Sequence, residues 1–98
     1  MEIKLFLDGE YKTFKNNGRM SALRFKQSLA YSQALDKDFS DETMEAAVNF
    51  IANDLFEQQF TAEDFWNGVD VEEFTTVLLE ALSAPSKRMQ AKMQPLKN

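Results

Sequence analysis

Residues 58–82, QQFTAEDFWNGVDVEEFTTVLLEAL, place two helix-start signals only nine residues apart, at Thr61 and Asp70. That spacing allows only a short first helix before a longer second one. Thr61-Ala-Glu-Asp64 reads as an N-terminal cap, with Asp in place of the preferred Glu at its last position. Gly68 reads as the stop of the short helix, and Asp70-Val-Glu-Glu73 as the start of the next. In that second helix Val71, Phe74, Leu78, Ala81 and Leu82 recur at helical spacing, with Val77 and Leu79 beside them. Pro85 is expected to end the regular structure.

Upstream, Ile3, Leu5 and Leu7 alternate with Lys4 and Phe6, and Asp8-Gly9 follows before Glu10–Lys15. An Asp-Gly pair between such segments predicts a two-residue hairpin turn, because both turn positions need positive φ. Leu7 then faces Glu10, Phe6 faces Tyr11 and Ile3 faces Phe14, with Ile3, Leu5, Leu7 and Phe14 toward the core. Such a hairpin is only marginally stable alone, so it must lie on helices.

Met20–Leu35 has helical composition but two apolar arcs. Met20, Leu23, Ala30, Tyr31, Ala34 and Leu35 make the broad one, and Ala22, Phe25 and Leu29 a narrow one roughly opposite. A helix apolar on two sides is either buried between layers or offers one side to a partner. Ser40 is placed to cap the next helix, with Asp41 and Glu42 offsetting its dipole. Met44, Ala47, Val48, Ile51 and Leu55 then form a single stripe, with Phe50 and Phe56 on opposite flanks.

The expected architecture is one α+β domain, mainly α: a hairpin over 2–15 and about four helices, near 20–35, 41–57, 62–67 and 71–84. Residues 85–98 are expected to be a basic, flexible tail. Its Met89, Met93 and Leu96 have the spacing of a short amphipathic helix that forms on contact.

The chemistry of the residues argues against an enzyme. There is no Cys and no His, which removes thiolate chemistry, the commonest general base and the commonest transition-metal ligand. The acid pairs Glu63/Asp64 and Glu72/Glu73 sit at helix starts, where they offset the dipole. Asp36-x-Asp38 opens like a calcium loop, but Asp41 and Ala47 stand where that loop needs Gly and Glu. Gly9, Gly18 and Gly68 are isolated, so no phosphate-binding loop is present. No cofactor is expected. No apolar run reaches the roughly 18 residues of a membrane span, no signal peptide is recognisable, and the lack of Cys allows a reducing cytoplasm.

Charge is segregated. Residues 1–35 carry six Lys/Arg against three Asp/Glu, net +3; residues 36–84 carry one against thirteen, net −12; residues 85–98 carry four against none, net +4. The acidic middle disfavours nucleic acid as a partner. It also allows the basic ends of one chain to meet the acidic middle of another chain or of a protein partner. The residues expected to hold a partner are Phe25, Leu29, Phe50, Phe56, Phe60, Phe65 and Trp66. For the group of Phe60, Phe65 and Trp66, core and contact are competing readings.

The order of these features resembles the tail assembly chaperones of long-tailed phages of Gram-positive bacteria. The resemblance covers about residues 3–82, and rests most on Gln59-Phe60-Thr61-x-x-Asp64-Phe65-x-x-Gly68 with the following Glu73-Phe74 and Leu78. It implies a protein that coats and solubilises the tape measure protein, helps the tail tube protein polymerise around it in the host cytoplasm, and is absent from the virion. It implies self-association as well. In many relatives a frameshifted longer form recruits the tube protein, and this chain resembles the short form. The reading outside that family is an acidic helical adaptor, or antitoxin-like protein, that neutralises a basic protein.

Overall fold

A computed structural model of the chain describes residues 1–93. It shows an N-terminal antiparallel hairpin followed by four helices, the α+β architecture expected from the sequence. Strands β1 (Glu2–Leu7) and β2 (Glu10–Lys15) pair with Leu7 opposite Glu10, Phe6 opposite Tyr11 and Ile3 opposite Phe14. Asp8 (φ 53°) and Gly9 (φ 80°) both take positive φ, as a turn matching the twist of two strands requires. Ile3 and Leu5 are buried, and Leu7 and Phe14 half-buried, on the face turned to the helices.

Helix α1 spans Ala22–Lys37 and buries neither apolar arc as such. Its buried line runs along one edge of the broad arc, through Leu35 and the half-buried Tyr31, and takes in the buried Ser28 and half-buried Arg24 on the same spacing. Tyr31 stacks on Phe50 at 4.7 Å, while Leu23 and Leu29 stay exposed. The two-sided pattern therefore marks the flanks of a half-embedded helix.

Helix α2 (Asp41–Phe50) starts at Ser40 with a reciprocal cap: its side chain accepts from the Thr43 N–H, and Thr43 Oγ1 accepts from the Ser40 N–H at 2.9 Å. It continues as a π-helical turn over Ile51–Leu55, closed by the Phe56 N–H on the Ile51 carbonyl. A wider turn changes the phase of every residue after it. Phe56, expected on a flank, is thereby fully buried along with Ile51, Ala52 and Leu55, and Phe50 is buried just before the turn. Glu57 and Gln58 then reverse the chain with φ of 50° and 65°.

Helix α3 (Ala62–Gly68) carries the expected cap: the Asp64 N–H donates to Thr61 Oγ1 at 3.0 Å, and the Thr61 N–H donates to Asp64 Oδ2 at 3.1 Å. Gly68 corrects one expectation. Its φ is not in the left-handed region, so it does not stop the helix by a conformation that only glycine favours. It is the last helical residue and lies against β1, where an added Cβ would stand 2.8 Å from Leu5 Cβ.

Helix α4 corrects two more. It begins at Phe74, not 71, because Asp70 closes a separate turn: the Glu72 N–H donates to Asp70 Oδ1 at 2.8 Å and the Glu73 N–H to the Asp70 carbonyl at 3.0 Å. Val71, assigned to the core stripe, is 87% exposed on that turn. At its other end α4 passes through Pro85 to Met93. A proline inside a helix removes one hydrogen bond and costs about 3 kcal/mol. Here Pro85 is buried, and beyond it Arg88 donates a guanidinium hydrogen bond to the Gly18 carbonyl at 2.7 Å. Tertiary contact on both sides of the proline opposes its local preference. Residues 94–98, the remainder of the expected flexible tail with Leu96, lie outside the described residues.

Arg88→Ala is expected to lower stability by about 1 kcal/mol, or about 4–8 °C in melting temperature for a domain of this size. Thermal unfolding followed by circular dichroism measures it. An unchanged midpoint would mean that the end of α4 contributes nothing to the fold.

Candidate contact surface

The seven residues expected to hold a partner separate cleanly by burial. Phe56 and Phe65 are fully buried, and Phe50 and Phe60 nearly so. Phe50 stacks on Tyr31 of α1, and the other three belong to a run of packed rings. Phe60 meets Phe14 of the hairpin at 5.0 Å, Phe56 at 5.2 Å and Phe65 at 6.4 Å, and Phe65 meets Phe74 at 6.3 Å. This run joins β2, the end of the π-helical turn, α3 and α4, so these four phenylalanines fill the core and are not free to grip a partner. The physical reason is the sharp reversal at residues 57–60, which folds Phe60 and Phe65 back over the end of α2.

Trp66 differs from its neighbour. It is 38% exposed and lies flat on Phe74, with ring centroids 5.0 Å apart and planes 19° apart. One step along a helix turns a side chain by about 100°, so Phe65 points inward and Trp66 lies along the surface. Leu29 is exposed and Phe25 half-buried on α1, where Leu23, Leu29 and Ala30 surround the exposed Lys26. Of the seven, Phe25, Leu29 and Trp66 therefore remain at the surface.

Gln59 acts locally. Its side chain donates to the Lys15 carbonyl at 2.9 Å, and Asn16 Nδ2 donates to the Leu55 carbonyl. Together they fasten the end of the hairpin to the reversal after α2. The Gln-Phe-Thr segment is thus a joint between hairpin and helices.

The structure also exposes apolar residues that were not selected from sequence. Phe6 and Tyr11 meet edge to face at 4.9 Å on the outer side of the hairpin, and Tyr11 is 72% exposed. The signal was present in the strand register, which sets them opposite each other on the face away from the helices. Between this pair and the α3–α4 turn runs an open groove of about 780 Å³, bordered by Val69 and Val77 and by Asp70, Glu72 and Glu73. Among the described residues no helix is long and apolar enough to cross a membrane, and no group of three or more His, Cys, Asp or Glu could hold a metal ion.

This arrangement offers apolar side chains on helical and strand surfaces with charged rims, which is the chemistry of protein–protein contact. No curated protein and no solved structure matches the chain. A family model described as phage tail chaperone protein matches residues 1–97, a span that takes in the whole hairpin, all four helices and the basic end. The chain belongs to the phage tail chaperone family.

Proposed function

We propose that this protein is a non-enzymatic assembly chaperone that binds the tape measure protein in the host cytoplasm and keeps it soluble until the tail tube forms around it. Recruitment of the tail tube protein would fall to a longer frameshifted form, and neither form would remain in the virion. Family membership supports the general role. The observation that carries the specific one lies on the outer surfaces of α1 and of α3, where the half-buried Phe25 and the exposed Leu29, and separately Trp66, leave apolar area beside charge. A long helical client exposes apolar stripes before packaging, and these stripes aggregate unless covered. Covering them requires a surface that is apolar where it touches and acidic where it meets water. The strongly acidic span 36–84 provides the second property.

Co-expression tests the proposal. The tape measure protein is expected to move from the pellet to the soluble fraction when this chain is present, and to co-purify with it. Equal insolubility with and without the chain would sink the reading.

A further inference from the structure

The groove beside the hairpin and the far end of α4 have matching chemistry. The groove holds an exposed aromatic pair, Phe6 and Tyr11, with Lys4 on the hairpin side, and on its other side three carboxylates, those of Asp70, Glu72 and Glu73, so its net charge is negative. At the other end of the molecule Met89 is exposed, and Lys92, three residues on, shares its face of α4. A methionine is flexible and polarizable and packs well against aromatic edges. A lysine on the same face has the length and charge to reach a carboxylate rim.

The two surfaces cannot meet within one chain. Glu73 and Val77, at the start of α4, border the groove, and the helix continues from Phe74 to Met93. At about 1.5 Å per residue, Lys92 stands about 27 Å along the axis from Phe74. The helix holds the two surfaces apart.

We infer that the groove receives the end of α4 from a second copy of this chain, with Met89 against Phe6 and Tyr11 and Lys92 facing Asp70, Glu72 and Glu73. Charge segregation supports this occupant: the span 36–84 is net −12, whereas no acid follows Glu80 and the chain beyond it is basic. Each copy presents one groove and one helix end, so the contact can be repeated from copy to copy or reciprocated within a pair. The inference does not depend on the identity of the client.

The test is molar mass by light scattering across protein concentration and salt. The wild-type mass is expected to rise above the 11.3 kDa of one chain with concentration. It should fall back on going from about 0.05 M to about 0.5 M salt, as ionic screening shortens. Glu72→Lys with Glu73→Lys, and separately Lys92→Glu, should each remain at the mass of one chain. Mixing the two variants restores opposite charges at every joint and should restore association. Tyr11→Ser leaves all charges in place and should weaken association about tenfold. All of these side chains are exposed, and circular dichroism verifies the fold of each variant. A wild-type mass fixed at one chain, a variant that associates like the wild type, or a mixture that fails to recover would each overturn the inference.

Discussion

Replacing Gly68 with alanine is expected to destabilise the protein, although the same change inside most helices would stabilise it. Alanine is favoured over glycine in a helix interior by about 1 kcal/mol. At this position the new methyl would stand 2.8 Å from Leu5 Cβ, 3.2 Å from the Phe6 backbone nitrogen and 3.3 Å from Leu5 Cα. Two of those three atoms are backbone and the third is fixed to it, so no flexible side-chain end can give way. Leu5 is itself fully buried. Either the hairpin moves off α3 or α3 unwinds at its end. Overpacking of this kind costs about 1–3 kcal/mol, and the rigid neighbour places Gly68→Ala at the upper part of that range. Denaturant unfolding would show it as a lower midpoint. Gly18→Ala is the control, since nothing lies within 4 Å of its added methyl. If both substitutions leave the midpoint in place, the contact between α3 and β1 is not tight.

The second large effect separates two adjacent aromatic residues. Phe65→Ala should cost about 3–5 kcal/mol, the range for emptying a buried phenylalanine site. Phe65 is 0% exposed and packs between Phe60 and Phe74. A domain this small has little stability to spare, so much of the population should unfold near physiological temperature. Trp66→Ala should behave differently. It removes a partly exposed ring that lies on Phe74, at a cost of about 1 kcal/mol, and the chain should still unfold cooperatively. Its main effect should appear in the co-expression assay, as a smaller soluble fraction of tape measure protein. Loss of the fold in Trp66→Ala would show that this ring too belongs to the core. Full client binding by a folded Trp66→Ala would remove it from the contact surface.

Much of this fold follows from interactions between near neighbours in sequence. The hairpin register was legible from Asp8-Gly9 and two-residue alternation, because a two-residue turn leaves a single pairing of the flanking residues. The starts of α2 and α3 were legible from Ser40 and Thr61, because a cap is a hydrogen bond spanning three residues. The stripe Ala47, Val48, Ile51, Leu55 is buried as its spacing implies. The candidate surface was less legible. Phe50, Phe56, Phe60 and Phe65 have the composition of an interface anchor, but composition does not distinguish a ring that fills a core from one that waits for a partner.

What sequence alone could not determine lies where distant segments meet. The π-helical turn rotates Phe56 into the core, a choice made by packing that no 3.6-residue period contains. Pro85 is a helix breaker by its own chemistry, yet α4 runs through it because the proline is buried and Arg88 is held by Gly18, 70 positions earlier. Gly68 was legible as a special residue, but its reason is the nearness of Leu5 and Phe6, which only the assembled hairpin and helix create. Local hydrogen bonds and turn geometry act over a few residues and leave a mark in the order of the chain. Steric fit and burial act between residues far apart in sequence, and appear only once the chain has folded.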